Sequence, residues 1–231
     1  MVKNIVLVHG AFADGSSWNK VIRLLQAKDY NVTAVQQPLT SLEEDVAITR
    51  HILSMQQGPA ILVGHSYGGV IITVAGNEPK VSGLVYIAAF APDEGENIND
   101  LKSKAAPAAG SAHVKPDDQG YVWIERAAYP EFFAGDVDLE EARVMAAVQM
   151  PWKVPGNKIS NPAWRSRPSW YQISERDMMI NPELQHFMAK RIGAKTISLN
   201  ASHASAVSHP REVADLIMDA ANSATLKASA A

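Results

Sequence analysis

The stretch Gly64-His65-Ser66-Tyr67-Gly68-Gly69 does most to limit how this chain folds. The apolar run Ala60–Val63 precedes it, and a helix-like run begins at Val70. A serine flanked by glycines two before and two after, set between strand and helix, predicts a very sharp turn. Those glycines remove the Cβ atoms that would block the bend. The turn lifts Ser66 Oγ above the carboxyl edge of a sheet. It also aims the unpaired N–H groups of the following helix at whatever Oγ attacks. Three fixed positions of this kind recur by chance in about one chain in ten of this length. The weight therefore comes from the strand–helix placement, from a second glycine loop at His9-Gly10, and from a late histidine.

The rest of the chain fits that turn into a sheet. Val2–Val8, Asn31–Val35, Ala60–Val63 and Gly83–Ala89 read as strands. Between them, helices are expected from Ser16 to Lys28, from Ser41 to about Gln56, and from the sharp turn to about Asn77. Such alternation predicts a doubly wound, mostly parallel α/β sheet with helices on both faces. From Pro92 to Pro168 no convincing core strand is visible, and one clear helical pattern runs over Asp138–Met150. This segment, 92–168, is expected to be an inserted helical cap over the sheet's carboxyl edge. The core is then 1–91 together with 169–231. Large apolar residues in the insertion argue for packing, and Phe133, Met145 and Trp152 are the candidates for the substrate pocket. Ser169–Ile173 and Thr196–Leu199 read as the last two strands of about six. Helices are expected at Pro182–Ile192 and Arg211–Ala221, with a small, polar tail to Ala231 that frays.

Composition narrows the partners. The 231 residues suffice for one large domain or a domain with an insertion. With 47% hydrophobic and 19% charged residues, the balance is that of an ordinary globular protein. A net charge of −3 gives no reason to expect nucleic acid or an anionic membrane surface. The absence of cysteine excludes disulfides and thiolate metal sites. Ile5–Val8 is too short for a signal-peptide core, and no run reaches the length of a membrane span, so a cytoplasmic protein is expected. The sequence leaves oligomeric state open, a homodimer included.

A serine hydroxyl needs a base, and the base needs an orienting acid. Of seven histidines, His51 and His186 lie on amphipathic helices, and His113 lies in the insertion. His209 is expected to cap a helix, while His9 and His65 are expected to brace the glycine loops. His203 follows the final strand, at the edge where Ser66 emerges, and is the candidate base. The acid is expected after the previous strand, where Glu175 and Asp177 stand; Asp177 closes the turn and is preferred. Asp93 or Glu94, after the fourth strand, is a distant alternative. Attack on a carbonyl also needs pre-aimed backbone donors. Tyr67 N–H is one candidate, and Phe12 N–H in the loop His9–Ala13 is the other.

Taken together, the chain resembles the α/β-hydrolase fold superfamily essentially from end to end, with the insertion as the variable part. Val8-His9-Gly10-Ala11-Phe12, Ser17-Trp18, Gly64–Gly69 and Ser202-His203 are similar to a group of small esterases. That group includes plant methyl esterases, plant hydroxynitrile lyases and bacterial ester and pyrethroid hydrolases. The resemblance implies a triad of Ser66, Asp177 and His203, no metal, no organic cofactor, and a small-molecule ester as partner. Pyrethroid-type esters fall within that range, and the apolar insertion favours a hydrophobic or aromatic ester rather than a charged one. A lyase of this group carries threonine after the first-loop histidine and lysine after the late one. Here those places hold Gly10 and Ala204. A pocket-bearing receptor without turnover is the other alternative, against which the complete set of three residues argues.

Overall fold

Six apolar runs pair into one sheet in a computed structural model that describes residues 1–224. The strands are β1 (Asn4–Val8), β2 (Asn31–Val35), β3 (Ala60–His65), β4 (Val81–Ile87), β7 (Ser169–Ser174) and β8 (Lys195–Leu199). Their spatial order is β2-β1-β3-β4-β7-β8, and every neighbouring pair is parallel. β1, β3 and β4 are buried along their whole length, which is why they read as unbroken apolar runs rather than alternating ones.

Helices cover both faces. α1 (Asn19–Gln26) and α9 (Pro210–Ser223) pack on one side, where Trp18, Val21, Leu25, Val213 and Ile217 are buried. On the other side α2 (Leu42–Met55), α3 (Gly68–Ala75) and α7 (Pro182–Arg191) share a larger core with residues of the segment between β4 and β7. A short helix, α8 (Ser205–Ser208), leads into α9. The expected helix from Ser16 begins instead as a 3₁₀ turn at Gly15–Trp18, because Asp14 caps Ser16 N–H. Of the tail expected to fray, α9 takes up the part to Ser223, and residues 225–231 lie outside the described residues.

The segment between β4 and β7, expected as a helical cap, carries a short ribbon beside its helices. It holds α4 (Ile98–Lys102), α5 (Tyr129–Phe132) and α6 (Leu139–Val148). It also holds an antiparallel ribbon of β5 (Val114–Pro116) and β6 (Val122–Ile124). Each ribbon strand has three residues, too few to show alternation in sequence.

Candidate active site

Sheet register decides which loops meet. Val8 lies opposite Gly64 across the β1–β3 ladder, so the chain leaves both strands at one level. The connection from β1 runs to β2 on one side, and β3 lies on the other. The carboxyl ends of β1 and β3 therefore border the switch point where open α/β sheets form a crevice.

Ser66 sits at the corner after β3 with φ of 53°, in the left-handed region. For a residue with a Cβ this costs about 1–3 kcal/mol and persists only where the surroundings enforce it. Ser66 N–H donates to the Ile87 carbonyl at 3.2 Å, and the Ser66 carbonyl accepts from Gly69 and Phe90 N–H at 3.0 and 3.1 Å. A Cβ on Gly64 would lie 2.5 Å from the Gly68 carbonyl oxygen, and one on Gly68 would lie 2.5 Å from that of Val8. The turn thus needs both glycines for close approach. Phe12, after β1, also has a left-handed φ, of 60°.

His203 emerges from the loop after β8 and is buried. Its Nδ1–H donates to Asp177 Oδ2 at 2.7 Å, which leaves the Nε2 lone pair free. Asp177 is fixed from every side. Its Oδ1 accepts from Met179 and Ile180 N–H at 2.7 and 2.9 Å, and its Oδ2 accepts from Gln185 Nε2 at 2.7 Å. Glu175 is exposed and faces His186 instead. Asp93 and Glu94 are paired with Arg165, each at 2.7 Å.

Ser66, His203, Phe12, Tyr67 and Trp152 line one cavity of about 220 Å³, together with Phe90, Ile180 and Lys102. No hydrogen bond joins the Ser66 and His203 side chains in this structure; such contacts commonly tighten only when substrate enters. The Phe12 and Tyr67 N–H groups donate no hydrogen bond among the described residues. Among the described residues, no cluster of three or more His, Cys, Asp or Glu side chains is placed to hold a metal ion.

Two expected pocket residues lie elsewhere. Phe133 stands behind the site, edge-on to the His203 ring at 4.9 Å, because its turn packs under the loop after β8. Met145 lines a separate crevice between α6 and α1, beside Lys20 and Glu141; the register of α6 turns it away from Ser66. His209 does not cap α9 through its side chain. Its Nδ1 lies 3.0 Å from Ser208 Oγ.

The glycine-loop histidines do more than brace their own loops. His9 Nδ1–H donates to the Gly10 carbonyl and Nε2 accepts Gln37 N–H, both at 2.9 Å. His65 Nε2–H donates to the His203 carbonyl at 2.9 Å. Burial, with the nearby His203, holds the His65 pKa well below the ordinary histidine value. Burial lowers that of His9 as well.

Sequence reasoning missed three supporting residues. Gln185, wholly buried on α7, ties Asp177 to β7 by accepting Ser174 N–H at 3.0 Å. Asp45, buried on α2, accepts from Tyr67 OH at 2.7 Å and from Leu39 N–H at 2.9 Å, and burial raises its pKa. Tyr129 OH donates to the Phe12 carbonyl at 2.9 Å. Only Asp45 left a signal: an acid within the stripe of Leu42, Val46 and Leu53 has no place in an apolar face unless it is partnered.

A family model for alpha/beta hydrolases matches residues 5–216. The chain belongs to the alpha/beta hydrolase family. Its relatives in that family include a pyrethroid hydrolase from Sphingobium wenxiniae, 29% identical over 251 aligned residues that cover 96% of this chain and 88% of that protein. A carbendazim-hydrolysing esterase from a Nocardioides species is 35% identical over 47% of this chain and 51% of its own length. Among solved alpha/beta hydrolases, the structure of a pyrethroid hydrolase superimposes with a TM-score of 0.86 at 25% identity, covering 96% of this chain and 98% of that one. Among the described residues, no helix is long and apolar enough to cross a membrane.

Proposed function

We propose that this alpha/beta hydrolase is a serine carboxylic-ester hydrolase acting on a small hydrophobic or aromatic ester. One observation carries the reading: a strained Ser66 opens into the same cavity as His203, whose Nδ1 is held at 2.7 Å by a buried Asp177. Family relatives named as pyrethroid hydrolase and esterase support ester chemistry.

In this mechanism Ser66 Oγ attacks the ester carbonyl carbon and passes its proton to His203 Nε2. The charge that develops on the carbonyl oxygen is received by Phe12 and Tyr67 N–H, and such donors are worth about 3–4 kcal/mol each in transition-state stabilisation. Collapse expels the alcohol, which takes the proton from His203, and leaves an acyl group on Ser66. Water then gives a proton to His203 and attacks the acyl carbon, and Ser66 recovers its proton as the acid departs. Asp177 holds the imidazole in the tautomer that has its lone pair on Nε2. No metal or organic cofactor enters these steps. Residues 92–168 serve as the cap, with 1–91 and 169–231 as the hydrolase core; Trp152 and Val154 bring the insertion into the cavity wall.

The test is Ser66→Ala assayed on a panel of aryl esters, alongside labelling by a fluorophosphonate. The variant is expected to lose at least about 10³-fold in kcat and all labelling. Full activity in Ser66→Ala would overturn the mechanism. Gly10 and Ala204 supply neither a hydroxyl nor a charge beside the site, so the protein should not raise cyanide release from mandelonitrile above the uncatalysed rate.

A further inference from the structure

The cavity that holds Ser66 is walled mostly by apolar and aromatic side chains, and one lysine stands among them. Lys102 ends α4, in the insertion. Its Nζ lies 6.0 Å from the centroid of Phe90, another wall residue. Two acids near it in the sequence are engaged elsewhere. Glu96 pairs with Arg191 at 2.9 Å and with Lys104 at 3.3 Å, and Asp100 faces Lys158 at 3.6 Å while capping α4. Among the described residues, no carboxylate pairs with Lys102, and no other lysine or arginine lines this cavity. Although the residue as a whole is exposed, desolvation lowers its pKa from the ordinary lysine value. An ammonium in the cavity wall that lacks a carboxylate partner among the described residues is open to an anion that enters the cavity.

We propose that Lys102 forms a cationic subsite that selects esters carrying a carboxylate at the end remote from the scissile bond. This rests on the ester-hydrolase reading and departs from the sequence expectation of an uncharged ester: with Lys102 in the wall, the preferred substrate has an apolar body and one anionic end. Trp152, Phe90 and Val154 receive the body, and Lys102 receives the carboxylate. The subsite acts on binding, so its effect belongs in KM rather than in kcat.

The experiment compares p-nitrophenyl hydrogen adipate with p-nitrophenyl hexanoate, whose acyl chains are equally long, after subtraction of the uncatalysed rates. In the wild type, the ratio of kcat/KM for the anionic ester to that for the neutral one is expected to fall as salt is raised. In Lys102→Met the ratio is expected to drop about tenfold, chiefly through KM, and Lys102→Arg is expected to retain most of it. An equal loss on both esters in Lys102→Met, or an unchanged ratio, would overturn the subsite. Binding of the half-ester to Ser66→Ala, followed by calorimetry with and without Lys102→Met, reads the subsite independently of turnover. Weaker binding in the double variant supports it and equal binding refutes it. Lack of turnover of either ester by the wild type would count against the hydrolase reading alone.

Discussion

At the scale of single residues, the site is defined by which polar groups are held and which are left free. Asp177 has four donors around its two oxygens, while Glu175, two positions away, is exposed. Asp177→Asn should lower kcat about 10³–10⁴-fold by favouring the wrong histidine tautomer, whereas Glu175→Gln should leave it within twofold; steady-state kinetics on one aryl ester distinguishes them. Gln185→Leu removes a buried donor to Asp177 and an acceptor for Ser174 N–H. It should cost about 1–3 kcal/mol in urea unfolding and reduce kcat as well. The choice of Asp177 was legible because it follows a strand and closes a turn. Gln185 was not legible, since nothing in its own helix distinguishes a buried glutamine from a surface one until α7 is laid against β7.

At the scale of elements, the decisive unit is β3, the turn at Ser66 and α3. The close approaches at Gly64 and Gly68 are to backbone atoms, which cannot swing aside as a flexible side chain does. Gly64→Ala or Gly68→Ala should therefore destabilise the protein by several kcal/mol, opposite in sign to the stabilisation of about 0.5–1 kcal/mol that alanine ordinarily gives in place of an unstrained glycine; thermal melts of the purified variants check this. The turn could be read from sequence because the glycine spacing about Ser66 is a local signature, although the approach that forbids a side chain at Gly68 is to Val8 of β1. The ribbon of β5 and β6 could not, because so short a pair is stabilised by the core it lies on and not by any pattern of its own. Met145 was misplaced for a related reason: periodicity identifies the buried face of α6, but which crevice that face meets depends on how α6 docks.

For the whole molecule, the insertion and the sheet share one apolar cluster, in which Tyr129, Phe133 and Trp152 join Tyr67, Ile71 and Tyr86. Unfolding should therefore be a single cooperative transition, with tryptophan fluorescence and far-UV circular dichroism coinciding. It should also be acid-sensitive. His9 and His65 have folded-state pKa values below the ordinary 6.5. The unfolded chain then binds protons that the folded one refuses. The stability they contribute is present above pH 6.5 and is lost as the pH falls from 6.5 toward their folded values. Each adds a slope of up to about 1.4 kcal/mol per pH unit. Urea titrations across that window should show it, and His65→Gln, which keeps a donor toward the His203 carbonyl, should reduce it by about half. By itself the sequence determined the strand–helix alternation, the glycine turn and the identity of Ser66, Asp177 and His203 as candidates, because strand periodicity, glycine spacing and chain order are written along the chain. Only the tertiary structure decided that Asp177 reaches His203 under the guard of Gln185, that Phe133 backs the imidazole, and that Lys102 stands in the cavity wall with no carboxylate partner among the described residues. Those relations join residues far apart in the chain, and they exist only once the loops after β1, β3, β7 and β8 are brought to one edge.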